Sequence, residues 1–336
     1  MNFAFAGAPD FAAWTLDHLA GLGRRPCLVI SQPDRPVGRG RRATAPAAAV
    51  AAHRLSLDLI QPDDISAPEV LDRLRSAGAD ALVVAAFGQM LRKPLLDSLL
   101  CVNVHASLLP AYRGAAPIER GLAAGEARAG VTIMRVTEAL DSGPCALQTS
   151  LSVSLRDDAG SIGRALAFLG ALSLDRVLTG LDDGTVVWAE QEGEPGYAEK
   201  LSWKDCLLDT GRPARRVHDQ VRSLSPRVGA RVQSGSLQFK VWRTWPYGQP
   251  GLDALPAEAA HVAGRPGEIA VAEERLFVGC GEGAVQVLSV QPDGKSAMSA
   301  AAFLRGYQAR LGDRIEPAGK SCDSSGDGGW ITEAGS

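Results

Sequence analysis

The chain has 336 residues, a net charge of −3, 46% hydrophobic and 22% charged residues. That length exceeds what one core usually organises, so two domains are expected, and the composition excludes wholesale disorder. Apolar runs such as Ala81–Phe87 fall far short of the roughly 20 residues that span a bilayer, so no membrane span is expected. The start, Asn2-Phe3-Ala4-Phe5-Ala6-Gly7, has no basic region before its apolar run and does not read as a signal peptide. Cys27, Cys101, Cys145, Cys206, Cys280 and Cys322 are scattered without a Cys-x-x-Cys pair. They read as free thiols of a reducing cytosol, not as a disulfide framework or a zinc site.

In chain order, Asn2–Ala6 predicts a strand and Pro9–Leu22 a helix with Phe11, Leu16 and Leu19 on its apolar stripe. Cys27–Ser31 predicts a second strand, Ala45–Leu55 a helix, Leu57–Gln61 a short strand, and Pro68–Ser76 a helix. Ala81–Phe87 and Cys101–His105 predict two more buried strands. Apolar strands alternating with helices mean a doubly wound, parallel α/β sheet, whose sites lie at the C-terminal strand ends. Residues 185–208 are mixed and polar and read as a linker. Ala214–Leu224 predicts a helix. Short strands follow at Ala230–Val232, Leu237–Trp242, Glu268–Val271, Leu276–Gly279 and Ala284–Val290, a pattern that suggests a small barrel. Ser299–Tyr307 predicts a last helix capped by Ser299, and residues 314–336 read as a disordered tail. Residues 209–313 carry 13 Lys and Arg against 10 Asp and Glu. So small a surplus does not by itself separate a polyanion-binding face from ordinary variation.

Three stretches carry candidate chemistry. Asn103 and His105 stand two apart in a strand, so both side chains leave one face. An amide and an imidazole side by side suit a developing oxyanion; the alternative is a polar pair satisfied by the next loop. They do not suit a metal, because no second ligand stands at the right spacing. Asp141, in Leu140-Asp141-Ser142-Gly143-Pro144, is either a turn residue or a carboxylate that orients the imidazole and takes a proton from an attacking amine. The stretch Ser31 to Arg42 holds Arg35, Arg39, Arg41 and Arg42 with Gly38 and Gly40. It reads as a flexible basic loop suited to phosphates. Gly38-Arg39-Gly40 lacks the third glycine and the following helix of a dinucleotide fingerprint, which argues against an oxidoreductase.

Together these residues resemble the 10-formyltetrahydrofolate-dependent formyltransferases and, more narrowly, the methionyl-tRNA formyltransferase family. The resemblance rests on Phe5-Ala6-Gly7-Ala8-Pro9-Asp10-Phe11-Ala12, Gln32-Pro33-Asp34-Arg35-Pro36, Ala86-Phe87-Gly88 and Asn103-Val104-His105. It continues through Ser107-Leu108-Leu109-Pro110, Arg113-Gly114-Ala115-Ala116-Pro117-Ile118, Gly130-Val131-Thr132-Ile133-Met134 and Leu140-Asp141-Ser142-Gly143. Tyr197-Ala198-Glu199-Lys200 and the run from Gln291 to Met298 extend it into the second half. The resemblance implies a Rossmann-like formyltransferase domain over 1–184, the linker, and an OB-like barrel over 209–313 that binds tRNA. It implies catalysis by Asn103, His105 and Asp141. It places folate at Phe87, Gly88, Ser107, Leu108, Leu109, Pro110 and Asp141, and tRNA at Arg35, Arg39, Arg41, Arg42 and Lys295. The implied co-substrate is 10-formyltetrahydrofolate and the implied acceptor is initiator methionyl-tRNA, in the cytoplasm, with no metal, membrane or obligatory protein partner. Ser225-Pro226-Arg227-Val228-Gly229 and Asp209-Thr210 depart from the family's tryptophan-containing motifs. A formyltransferase for a nucleotide or nucleotide sugar, a formyltetrahydrofolate hydrolase and a non-catalytic RNA-binding protein are the rival readings.

Overall fold

The apolar run at the N-terminus forms β1 (Phe3–Gly7), buried at every residue, inside a seven-stranded sheet. A computed structural model describes residues 1–37 and 42–318. The elements that follow are α1 (Asp10–Gly21), β2 (Leu28–Ile30), β3 (Arg35–Val37), β4 (Arg42–Thr44), α2 (Ala47–Arg54), β5 (Leu59–Ile60), α3 (Pro68–Ser76) and β6 (Ala81–Ala85). Next come α4 (Lys93–Ser98), β7 (Leu100–His105), β8 (Arg113–Gly114), α5 (Pro117–Ala123), β9 (Arg128–Arg135), β10 (Cys145–Ser152), α6 (Ala159–Asp182) and β11 (Tyr197–Ala198).

The large sheet has the order β10-β9-β7-β6-β1-β2-β5. From β7 to β5 every pairing is parallel, with Phe5 opposite Val83 and Val84 opposite Asn103. Helices return the chain between these strands, which is what parallel pairing demands. The doubly wound sheet is as expected, but the edge formed by β9 and β10 is antiparallel and departs from its parallel order. No helix separates β9 from β10, so the chain can only double back. The turn between them carries Asp141.

Two further expectations change. The basic stretch is not open throughout: Arg35 pairs with Thr44 and Val37 with Arg42, so its flanks form a hairpin. The segment read as a linker is built into the fold, for Tyr197 pairs with Arg113 and Ala198 with Gly114.

The chain divides into two compact units. The first takes Met1–Ile118, Ala127–Ser154 and Ser161–Glu199; the second takes Glu119–Glu126, Leu155–Gly160 and the chain from Lys200 onward. The second unit contains α7 (Ala214–Ser223), β12 (Ala230–Ser234), β13 (Leu237–Tyr247), β14 (Ile269–Ala272), β15 (Arg275–Gly279), β16 (Ala284–Pro292), β17 (Met298–Ser299), α8 (Ala300–Tyr307) and β18 (Glu316–Pro317). Its sheet is antiparallel throughout, in the order β14-β15-β16-β13-β12-β18, with β17 on β16. It curls until its ends approach, with Ile269 N donating to Asp313 O and Ile315 N to Gly267 O. The ordered chain therefore runs past residue 313, where the tail was expected to begin. Ile315 is buried and β18 covers the free edge of β12, which gives those residues a reason to stay. Ser299 caps α8 as expected, its hydroxyl accepting from Ala302 N.

Helix α7 buries an unusual set of polar side chains: His218, Asp219 and Arg222. Asp219 is fully enclosed and held by Arg215 at 3.1 Å and Arg222 at 2.8 Å. His218 Nε2 lies 2.8 Å from Leu155 O and Nδ1 lies 3.0 Å from Thr244 Oγ1. A carbonyl only accepts, so Nε2 carries the proton and Nδ1 accepts from the Thr244 hydroxyl. Burial pushes His218 down to about 4 from its ordinary 6.5. The folded state therefore binds fewer protons than the unfolded chain between those values. Stability is present in full above pH 6.5 and falls as pH drops toward 4, by about 3 kcal/mol. In His218→Leu that slope should vanish, although the variant is less stable overall because Leu155 O loses its donor. Denaturant midpoints of both proteins from pH 7 to 4 read the difference, and parallel curves would refute it.

Candidate active site

Strand β7 delivers Asn103 and His105 to the C-terminal end of the parallel strands, on one face, as period-two geometry requires. The following turn, Ser107 to Pro110, is fastened from three directions. Thr132 Oγ1 donates to Ser107 O at 2.7 Å and accepts from Leu109 N at 3.2 Å. Ser107 Oγ donates to Ala111 O at 2.6 Å, and Gln148 Nε2 donates to Leu109 O at 2.7 Å. A Cβ on Gly130 would stand 2.3 Å from Leu108 Cδ2, so only glycine lets Leu108 pack there.

Asp141 meets the pair from the β9–β10 turn. Its Oδ1 accepts from Asn103 Nδ2 at 3.3 Å and its Oδ2 accepts from Gly114 N at 2.8 Å. His105 Nδ1 stands 3.7 Å from Oδ2. The imidazole is 6% exposed and the carboxylate 13%. Gly114 has φ of +117° and a Cβ there would lie 2.8 Å from Ala198 O, so glycine is needed where this amide turns toward Asp141. Asp141 itself has φ of +46°, which an aspartate tolerates, and Tyr112 has +59°, which a bulky side chain holds only when its surroundings impose it. The other ring nitrogen, His105 Nε2, is 3.0 Å from Tyr112 O. That oxygen can only accept, so Nε2 carries a proton and Nδ1 faces the carboxylate.

The remaining sequence-derived candidates fall as follows. Phe87 is 2% exposed and its ring belongs to the core around Leu82, Leu91 and Leu95. Its carbonyl accepts from Gln32 Nε2 at 2.5 Å, and Gly88 follows with φ of +80°. Ser107 and Leu109 are buried, while Leu108 and Pro110 are half-buried. Met90 and Leu140 leave apolar side chains 78% and 64% exposed, two residues after Gly88 and one before Asp141. Arg35 is exposed on β3, and Arg42 lies on β4. Arg39 and Arg41 lie outside the described residues. Lys295 is exposed in the second unit, in the turn between β16 and β17. Among the described residues, no group of three or more His, Cys, Asp or Glu is placed to hold a metal ion, and no helix is long and apolar enough to cross a membrane. The five described cysteines are free, and burial pushes the Cys101 and Cys280 thiols up to about 12.

Sequence reasoning did not find Thr132, Gln148, Tyr112 or Gln191 as parts of this corner. Thr132 and Tyr112 lie in or beside motifs already singled out. Gln148 and Gln191 carry no local signal.

Residues 1–178 match the family model described as formyl transferase, and residues 200–308 match that of the formyl transferase C-terminal domain. The methionyl-tRNA formyltransferase of Methylobacterium sp. (strain 4-46) is 37% identical over 94% of this chain and 99% of its own length. That of Halorhodospira halophila is 39% identical over 94% and 99%. The chain belongs to the methionyl-tRNA formyltransferase family.

Membership makes the protein an enzyme that transfers formyl groups. Solved structures agree at the level of fold. The methionyl-tRNA formyltransferase from Clostridium thermocellum superposes with a TM-score of 0.51 at 14% identity, covering 73% of this chain and 92% of that one. The sugar 3N-formyl transferase WlaRD, crystallised with dTDP and 5-N-formyl-THF, gives 0.57 at 14% identity, covering 88% and 99%. Both formyltransferase models of the family thus match in this chain, the second of them wholly within the second compact unit.

Proposed function

We propose that this chain moves the formyl group of 10-formyltetrahydrofolate onto the methionine amine of initiator methionyl-tRNA, with Asn103, His105 and Asp141 as its catalytic groups. The observation that carries this reading is the convergence of an amide, an imidazole and a carboxylate, drawn from β7 and a turn 38 residues downstream. The folate supplies an activated formyl carbon when bound. The pterin-bearing ligand fits the apolar side chains beside the candidate residues: exposed Leu140 next to Asp141, half-buried Leu108, exposed Met90 two residues after Gly88, and a turn fastened by Thr132.

Attack by the amine places negative charge on the formyl oxygen. Asn103 has a second amide hydrogen beyond the one that Asp141 takes, and that hydrogen is available to the oxygen. His105 spends Nε2–H on Tyr112 O, so it presents Nδ1 to the site. It can therefore stabilise the oxygen only as the doubly protonated ring, with Asp141 as the counter-charge. Asp141 Oδ1 is positioned to take the proton that the attacking nitrogen must lose and to return it to the departing folate nitrogen. These are steps of charge placement and proton transfer, and each uses groups already within 4 Å of one another.

The basic stretch and Lys295 are assigned to tRNA phosphates, and the compartment of the reaction is the cytoplasm. Purified protein should formylate charged initiator tRNA from 10-formyltetrahydrofolate and leave charged elongator tRNA and a nucleotide sugar unmodified. Formylation of the sugar nucleotide alone would overturn the assignment. In the same assay, replacing Arg41 and Arg42 by alanine should raise KM for tRNA and flatten its salt dependence by about 0.9 per lost phosphate contact. KM for folate should stay constant. An unchanged salt slope with unchanged KM for tRNA would remove the stretch from the site.

A further inference from the structure

The most fully bonded side chain near Asp141 is Gln191, which lies in the segment whose composition reads as a linker. Its Nε2 donates to two carbonyls of the β9–β10 turn, Asp141 O at 2.9 Å and Gly143 O at 2.8 Å. Its Oε1 accepts from Arg113 Nε at 3.1 Å and Nη2 at 2.7 Å. Carbonyls only accept and a guanidinium only donates, so the amide has one orientation here and its two hydrogens and two lone pairs are all used. The neighbouring backbone is bonded as well. Ala189 and Cys145 exchange both backbone hydrogen bonds, at 2.7 and 2.9 Å, and Arg113 N donates to Gly196 O at 2.8 Å. Residues 189–198 therefore form a strap from the Asp141 turn to β8, whose Gly114 amide holds the Asp141 carboxylate.

We propose that Gln191 is a positioning residue for this reaction: it fixes the Asp141 turn and Arg113 to one another, so that the carboxylate stays aimed at Asn103 and His105. The proposal rests on the reading of Asp141 as the proton carrier. Asp141 sits at φ of +46°, and Gln191 holds Asp141's own carbonyl and that of Gly143, which fixes the peptide that follows Asp141 and the turn beyond it. An error of about 1 Å in such a group can cost on the order of a hundredfold in rate.

The test is a double-mutant cycle in single-turnover formyl transfer. Gln191→Met removes all four hydrogen bonds at similar volume. We expect kcat to fall by about ten- to a hundredfold, with KM for folate and for tRNA within about threefold of wild type. In the Asp141→Asn background the same substitution should cost nothing further, because the group it positions is already gone. Gln191→Glu retains the partner for Arg113 but turns a carboxylate toward the two carbonyls. It should lose at least as much, and it serves as the second variant if Gln191→Met does not fold. A wild-type kcat in either variant overturns the proposal, and so does an equal loss in both backgrounds. Full turnover of Asp141→Asn alone overturns the underlying reading and this proposal with it. A dead Asp141→Asn beside an unaffected Gln191→Met overturns this proposal only.

Discussion

Asp141→Asn should lower kcat by about a thousandfold while the protein still folds. Asparagine has nearly the same shape and tolerates the positive φ that this position requires. What it lacks is a second acceptor. Oδ1 and Oδ2 now each accept one hydrogen bond, from Asn103 and from Gly114. An amide can satisfy one of these and must turn its NH₂ toward the other donor. The lost bond costs about 1 kcal/mol of stability, which a folded domain absorbs. The lost basicity is the larger effect, because no other carboxylate is bonded to Asn103 or Gly114 among the described residues. Single-turnover rates, with circular dichroism and a thermal melt as controls, separate chemistry from folding. If Asp141 were only a turn residue, Asn would serve as well and the rate would persist.

The second large effect is expected at His105. His105→Ala should reduce kcat by about 10²–10³, the magnitude usual for the loss of one oxyanion donor. KM for tRNA should change little, since the ring is almost wholly enclosed and faces Tyr112 and Asp141. The substitution also leaves Tyr112 O without its donor, so a modest fall in melting temperature is expected. Turnover within a few-fold of wild type would remove His105 from the chemistry and leave Asn103 as the remaining donor. Because Nε2–H is committed to Tyr112 O and Nδ1 is the nitrogen presented to the site, the loss should be greatest for the step in which charge builds on the formyl oxygen. A single-turnover measurement reads that step directly.

Some of this site was legible in the residue order. Asn103 and His105 share a face because strand side chains alternate, and that rule needs no knowledge of the fold. The parallel strands β1, β2, β6 and β7 announced themselves as short apolar runs between helical patterns, because strands buried on both faces cannot alternate in polarity. Ser299 as a helix cap and the five short strands of the second unit were legible for the same reason: each depends on neighbours a few residues away.

Other features were decided only when distant segments met. The β9–β10 edge turns antiparallel, and that reversal brings Asp141 to Asn103 across 38 residues. No local pattern specifies which strand a hairpin will join. The basic stretch lacks apolar periodicity, so nothing in it shows that Arg35 will pair with Thr44. Residues 189–198 are polar and rich in glycine and proline, which is how a linker reads. They nevertheless form a strap because backbone groups of Cys145, Pro110 and Arg113 stand ready to bond them. Hydrogen bonds between main chains leave no mark on side-chain composition. The kinds of chemistry available were thus set by residue type and short spacing. Which carboxylate faces the imidazole, and which glutamine holds it there, were set by tertiary contacts whose partners lie tens of residues apart.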